Sequence, residues 1–435
     1  MATFKNYIGG RWVEARSGGV SEVRNPATGD LLGLVPQSGP ADVDAAAAAA
    51  AGAYDAWRRT PAPRRAEILF RVAELLVKRK EDLARLMTQE MGKVLAETRG
   101  DVQEAIDMSY FIAGEGRRLH GYTAPSEMPH KAAYCVRAPL GVVGVITPWN
   151  FPMAIPSWKI LPALVCGNTV VFKPASYTPL VGLRFVEIFE EAGVPAGVLN
   201  VVTGPGGAAG DAVVEHPQVR LISFTGSTET GLRLAEKCAR LGKRISLEMG
   251  GKNAAIVLPD ADLALATDAL IWSAFGTTGQ RCTAASRIIV HRDARADLTD
   301  RLVARAERLR LGDGLRPETE VGPVVSESQL ERVQDYVQVG TGEGARLLTG
   351  GRRARDGELG RGSFYAPTIF DQVTPRMRVA QEEIFGPVTD LIEADSFEQA
   401  VTILNDTRYG LSASIFTRDI NAAMSAVEEI DTGIV

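Results

Sequence analysis

Between Gly141 and Gly251 the chain repeats one pattern: a short β-branched run, a turn of glycine, proline or hydroxyl residues, then a longer helix-like stretch. The runs "GVVGVITP", "NTVVFKPAS", "GVLNVVTG", "VRLISFTGS" and "RISLEMGG" alternate with stretches such as "PLVGLRFVEIFEEAG". Parallel strands need crossovers of about that length, so the pattern predicts βαβ units around a parallel sheet. Ligands then belong at the carboxyl ends of its strands.

A second alternating block starts near Asn253. It runs through the strand-like "NAAIVLP", the helix "LALATDALIWSAF", the strand "SRIIVH" and "RLVARAERLRLGDG". A Gly/Arg-rich hairpin region around Gly350–Gly362 follows, then a helix ending in "TILNDTRYGLSASIFT". The preferred boundary is Gly250–Lys252, and 435 residues exceed one ordinary core, so two large domains are expected. Upstream, Asp42 to Arg99 reads as helices, with Ile68, Leu69, Val72, Leu75 and Leu76 forming a packing stripe. "KAAYCVRAPLG" is strand-like and suits a separate small sheet.

A formal net charge of −5 argues against nucleic acid or an anionic membrane as the main partner, since both need a basic face. With 45% apolar and 23% charged residues, no signal-peptide pattern in "MATFKNYIGGRWVEARSGG" and no apolar run of membrane-spanning length, a cytoplasmic globular protein is expected. Cys135, Cys166, Cys238 and Cys282 match no zinc spacing, and the four histidines do not cluster, so no metal is expected.

Cys282 lies in "AFGTTGQRCTAASR", behind Gly276 and Gly279 and between an apolar helix and a β-branched strand. A thiol there suits attack on a carbonyl, although a cysteine read alone is more often a small buried hydrophobe. Glu248 ends "ISLE" before two glycines, where burial would equip it to activate water; a surface carboxylate fits the same position. Asn150 in "TPWNFP" follows another strand, as an oxyanion donor or as a turn residue. "GPGGAAG" follows "GVLNVVT" without being a clean dinucleotide fingerprint, and "FTGST" offers amide and hydroxyl donors where a helix begins. Lys173 could reach a ribose or a phosphate, or be simply solvated.

The series "TPWNFP", "KPAS", "FTGST", "LEMGGKN", "GQRC" and "EEIFGP", in this order over nearly the whole chain, resembles the aldehyde dehydrogenase superfamily. The resemblance implies an α/β fold with a Rossmann-type cofactor domain, an α/β catalytic domain and a small oligomerisation sheet. On this chain these correspond to residues 1–125 with 145–250, to 251–430, and to 126–144 with a C-terminal strand missing from this chain. It implies Cys282 as nucleophile, Glu248 as general base, Asn150 with the Cys282 N–H as oxyanion donors, and Lys159 as a proton relay. For NAD or NADP it implies Thr147, Pro148, Trp149, Lys173, Ser176, Gly206, Gly210, Phe224, Thr225, Gly226, Ser227, Glu248, Met249, Gly250, Glu383 and Phe385. The chemistry implied is a thiohemiacetal on Cys282 that gives hydride to the nicotinamide, then a thioester hydrolysed to carboxylate.

Two departures from the family pattern matter. Ser176 stands where strictly NAD-using members often carry glutamate, so acceptance of NADP is expected. The chain stops at "DTGIV", where the family usually continues to a last strand at the subunit interface, although a homodimer or homotetramer remains the family expectation. In detail the chain resembles bacterial 2-oxoglutarate semialdehyde dehydrogenases, which implies a short aldehyde with a distal carboxylate. Arg117, Arg281 and Trp158 are the candidate substrate contacts, each with a packing role as the alternative. Competing readings are other aliphatic or aromatic aldehydes, a CoA-acylating enzyme, against which Glu248 argues, and a non-catalytic homologue.

Overall fold

The structure is a computed structural model describing residues 2–435. The chain divides into two compact units. The first comprises Met1–Arg24, Leu31–Glu90 and Thr98–Glu248; the second comprises Asn25–Asp30, Met91–Glu97 and Met249–Val435. Two short stretches thus leave the first unit in sequence to pack with the second, and the helical pattern of Asp42–Arg99 gives no hint that Met91–Glu97 is one of them.

The first unit is built on a seven-stranded sheet in the order Arg244–Glu248, Val219–Thr225, Val142–Ile146, Thr169–Lys173, Leu199–Val201, Asn6–Ile8, Arg11–Val13. The five strands from Arg244–Glu248 to Leu199–Val201 are parallel, and the last two add on antiparallel. Val142–Ile146 and Thr169–Lys173 are buried throughout, which is why they read as continuous apolar runs rather than alternating ones. Arg244–Glu248, at the edge, alternates exposed and half-buried positions. The chain starts the parallel set at Val142–Ile146, builds to one side, then returns to place Val219–Thr225 on the other. The strand order therefore reverses between Val142–Ile146 and Val219–Thr225, the position where open α/β sheets leave a ligand crevice.

Helices Pro40–Arg59, Ala62–Met91 and Leu95–Glu115 account for the upstream helical pattern. Leu69, Val72 and Leu76 of the stripe are fully buried. Tyr122–Pro125 and Ala132–Cys135 pair antiparallel as a separate two-stranded sheet with every residue exposed.

The second unit holds a six-stranded sheet in the order Arg346–Thr349, Thr368–Asp371, Val388–Ala394, Arg287–His291, Ala254–Val257, Ala413–Phe416. All neighbours are parallel except Arg346–Thr349 with Thr368–Asp371, whose antiparallel pairing brackets the Gly/Arg-rich region. The expected helix through "TILNDTRYGLSASIFT" splits: Phe397–Asn405 is helical, while Ala413–Phe416 is the sheet's edge strand beside Ala254–Val257. Gly410 and the β-branched Ile415 explain the change, since they suit a turn and a strand better than a helix.

Candidate active site

In the first unit the singled-out residues gather at the carboxyl ends of the parallel strands. Thr147, Pro148, Trp149 and Asn150 follow Val142–Ile146, and Lys173 closes Thr169–Lys173. Gly206 and Gly210 bound a single π-type turn after Leu199–Val201, and Glu248 closes Arg244–Glu248. Asn150 is buried, and Trp149 packs edge-on against Tyr177 at 6.4 Å between ring centres. The following helix, Ala154–Val165, is anchored by buried Asp101, which accepts the Ala154 N–H at 2.7 Å. Trp158 is exposed on that helix.

Lys159, on the same helix, spans the point where the strand order reverses. Its Nζ donates to Ser223 Oγ at 3.2 Å and to the Phe224 carbonyl at 3.3 Å, both on Val219–Thr225. Burial lowers its pKa to about 8, and the Glu248 charge opposes the shift. Lys173 donates to the Pro174 carbonyl at 2.9 Å, and burial alone lowers its pKa to about 8. Its stem lies against Gly210. Glu248 is exposed rather than buried, so its carboxylate meets the solvent that would supply a hydrolytic water.

After Val219–Thr225 the chain turns through Gly226, where a Cβ would lie 2.5 Å from the Phe224 ring. Ser227 caps the helix Thr228–Arg240 by accepting the Thr230 N–H. The buried hydroxyls of Thr225 and Thr228 have no hydrogen-bond partner among the described residues. Ser176 is exposed and donates to the Gly204 carbonyl at 3.0 Å, so a neutral hydroxyl faces solvent there. Arg117 is exposed just beyond the helix Leu95–Glu115, and its guanidinium makes no ion pair or hydrogen bond among the described residues.

In the second unit Cys282 is half-buried between the helix Leu263–Phe275 and the strand Arg287–His291. It follows three left-handed residues in a row, Thr277 (φ 51°), Thr278 (φ 57°) and Gly279 (φ 68°). Such a conformation costs a non-glycine residue roughly 1–2 kcal/mol, so the surroundings must impose it. Glu97 accepts the Thr277 N–H at 2.8 Å, and Thr278 Oγ1 donates to the Gly322 carbonyl at 3.0 Å. Buried Gln280 donates to the Thr277 carbonyl at 3.1 Å and accepts the Val325 N–H at 2.9 Å. Gly279 is required for space as well, because a Cβ there would meet the Gly386 carbonyl oxygen at 2.1 Å.

The segment Gly250–Asn253 ties this loop to Glu383. A Cβ on Gly250 would lie 2.1 Å from Glu383 Oε2, and Gly251 donates its N–H to Glu383 Oε1 at 3.2 Å. Lys252 forms a fully buried ion pair with Asp390 at 3.3 Å, and Asn253 donates to the Cys282 carbonyl. Burial raises the pKa of Glu383, against the Gly251 N–H and the charges of Arg332, Lys252 and Arg408. Phe385 is itself left-handed (φ 60°), held by Gln329, which donates to its carbonyl at 2.7 Å. Met249 is half-buried ahead of these glycines. Arg281 is already engaged: its guanidinium stacks on Trp272, bonds to the Trp272 and Ser273 carbonyls and faces Glu97.

The first unit thus carries Asn150, Lys159, Lys173 and Glu248, and the second carries Cys282, Glu383 and Phe385. Asn253, Gln280 and Glu97 were not singled out from sequence. Asn253 and Gln280 do lie inside the motifs "LEMGGKN" and "GQRC", whereas Glu97 lies in an unremarkable helical stretch.

Comparison with known proteins agrees with this architecture. The sequence pattern of the aldehyde dehydrogenase family matches residues 12–435. An alpha-ketoglutaric semialdehyde dehydrogenase of Bacillus subtilis (strain 168) is 45% identical over 434 residues, spanning 100% of this chain and 89% of that protein. Malonate-semialdehyde dehydrogenase 1 of Geobacillus thermodenitrificans (strain NG80-2) is 42% identical over 434 residues, with the same coverage of 100% and 89%. The crystal structure of betaine aldehyde dehydrogenase from Staphylococcus aureus in complex with NAD+ superimposes with a TM-score of 0.98 at 34% identity. It covers 99% of this chain and 86% of that one. By sequence along nearly its whole length and by fold, this chain belongs to the aldehyde dehydrogenase family.

Proposed function

We propose that the chain oxidises a short semialdehyde carrying a distal carboxylate, 2-oxoglutarate semialdehyde being the best candidate, to the corresponding acid with NAD(P). The observation that carries the chemistry is the half-buried Cys282 on a clamped left-handed loop. Its thiolate adds to the aldehyde carbon, and the Asn150 amide with the Cys282 N–H donates to the developing oxyanion. Once the carbon is oxidised, a thioester remains on Cys282. Glu248 takes a proton from water as the water oxygen attacks the thioester, and the Cys282 sulfur departs as thiolate. Lys159, with a pKa near 8 and electrostatically coupled to Glu248, is suited to pass that proton onward.

Bound NAD(P) supplies the hydride acceptor. The residues suit such a group: strand carboxyl ends, unpartnered Thr225 and Thr228 hydroxyls, Lys173, the uncrowded Gly206, and the Gly250 notch against Glu383. Phe385 and Glu383 would hold the nicotinamide end. Ser176 brings no carboxylate to repel a 2′-phosphate, which supports use of NADP as well as NAD.

The distal carboxylate falls to Arg117, because Arg281 is occupied by Trp272, Ser273 and Glu97. Trp158 is exposed and available as an apolar wall. The exposed sheet of Tyr122–Pro125 and Ala132–Cys135 supports a homo-oligomer, checked by light scattering.

Initial rates with 2-oxoglutarate semialdehyde, malonate semialdehyde, pentanal, benzaldehyde and betaine aldehyde, each with NAD and NADP, test the substrate. The highest kcat/KM is expected for 2-oxoglutarate semialdehyde. Arg117→Met should raise its KM by about tenfold while barely changing that of pentanal. A preference for benzaldehyde or betaine aldehyde, or an equal effect of Arg117→Met on both substrates, rejects the assignment. An acyl-CoA product on adding CoA rejects hydrolysis by Glu248.

A further inference from the structure

The loop that delivers Cys282 depends on two threonines in a backbone region that β-branched side chains rarely enter, Thr277 and Thr278. Glu97 grips the first of them twice: Oε1 accepts the Thr277 N–H at 2.8 Å, and Oε2 accepts its hydroxyl at 3.3 Å. Glu97 belongs to the Met91–Glu97 stretch of the second unit, so the grip lies within one compact body. A Cβ on Gly276 would meet Glu97 Oε1 at 2.9 Å and Arg281 Nη2 at 2.7 Å, so carboxylate and guanidinium share the space that this glycine leaves. The charged groups facing Glu97 are Arg281 from the cysteine loop and Lys93 from its own segment. Arg281 in turn senses both Glu97 and Cys282 electrostatically.

We propose that Glu97 is a positioning residue for the nucleophile: by holding Thr277 in its left-handed conformation and facing Arg281, it sets the path on which Cys282 presents its thiol and its N–H. The proposal rests on Cys282 being the nucleophile. Burial raises the Glu97 pKa, which Arg281, Lys93 and the Thr277 bonds oppose, so the grip itself helps keep the carboxylate ionised. Glu97 touches neither substrate nor cofactor in this scheme; it acts through the backbone conformation of residues 277–279.

The test compares kcat, both KM values and the rate at which iodoacetamide alkylates Cys282, read by mass spectrometry, in the full-length enzyme. Glu97→Ala should lower kcat and the alkylation rate by about 10- to 100-fold with the cofactor KM little changed, as expected for a misplaced reacting group. Because glycine adopts the left-handed conformation unaided, adding Thr277→Gly to Glu97→Ala should recover a substantial part of both rates. Wild-type rates in Glu97→Ala, or a loss that Thr277→Gly fails to relieve, overturn the proposal. If Glu97→Ala does not fold, Glu97→Met carries the test: it fills similar space but offers Thr277 no acceptor. Slower alkylation relieved by Thr277→Gly supports the proposal, and unchanged alkylation overturns it. Cys282→Ala separates the two ideas, because turnover in that variant defeats the nucleophile assignment whatever Glu97 does.

Discussion

Asn253 donates its side-chain amide to the carbonyl oxygen of Cys282 at 2.6 Å and to that of Ala284 at 3.0 Å. Its own amide oxygen accepts the Ser412 N–H at 3.1 Å, so one buried side chain ties the cysteine loop to the start of the edge strand. Asn253→Ala leaves these backbone groups without partners and should cost about 2–4 kcal/mol, read by urea unfolding. Asn253→Asp should be worse, since a carboxylate faces the two carbonyls it can no longer donate to. In both variants alkylation of Cys282 should slow. Full stability in Asn253→Asp would show that the amide is not the tie.

Gly250 illustrates a requirement for space. A Cβ on it would sit 2.1 Å from Glu383 Oε2 and 2.6 Å from Oε1, so the half-buried carboxylate would have to move away. Gly250→Ala should push Glu383 off the Gly251 N–H. If Glu383 holds the nicotinamide ribose, the KM for the cofactor rises at least about tenfold, the worth of one charge-assisted hydrogen bond, while alkylation of Cys282 stays near the wild-type rate. Equal loss of both would place Gly250 in the nucleophile's support instead.

Ser176 gives the most direct handle on cofactor choice. Its hydroxyl donates to the Gly204 carbonyl at an exposed position beyond the strand that ends in Lys173. Ser176→Glu places a carboxylate where a 2′-phosphate would lie and should raise the KM for NADP by about tenfold or more, an effect that fades at high salt. The KM for NAD should stay level or fall. Parallel changes for the two cofactors would put the adenosine ribose elsewhere.

The sequence showed most plainly what depends on local pattern. Apolar runs such as "TVVF" announce strands buried on both faces, and residues just past such runs land at the sheet's carboxyl edge, as Asn150, Lys173 and Gly226 do. Ala413–Phe416 is hard to read because it is only four residues long, is separated by seven residues from the helix Phe397–Asn405 and carries a single β-branched side chain, so partnering with Ala254–Val257 decides its conformation. Glu97 and Asn253 were beyond reach for another reason. Each acts on backbone atoms about 180 and 29 residues away, and no periodicity records such a contact. The engagement of Arg281 by two carbonyls and an aromatic face likewise appears only in three dimensions.

Lys173 links pH to both stability and cofactor use. An unfolded lysine titrates near 10.5, whereas burial lowers Lys173 to about 8. Below pH 8 both states carry the proton and the folded state bears the whole cost of burying the charge, roughly 3 kcal/mol. Between pH 8 and 10.5 the unfolded chain holds more protons than the folded one, so this lysine's contribution to stability rises with pH across that window. Lys173→Met should therefore stabilise the apo-enzyme most at pH 7 and by a shrinking margin as pH approaches 10.5, measured by urea unfolding at several pH values. The same titration removes the charge that a phosphate would meet. For NADP, kcat/KM should fall above pH 8, and Lys173→Arg should shift that fall to higher pH because a guanidinium stays charged. Lys159 also titrates near 8, so a fall that persists in Lys173→Arg but disappears in Lys159→Met would belong to Lys159 and its coupling to Glu248.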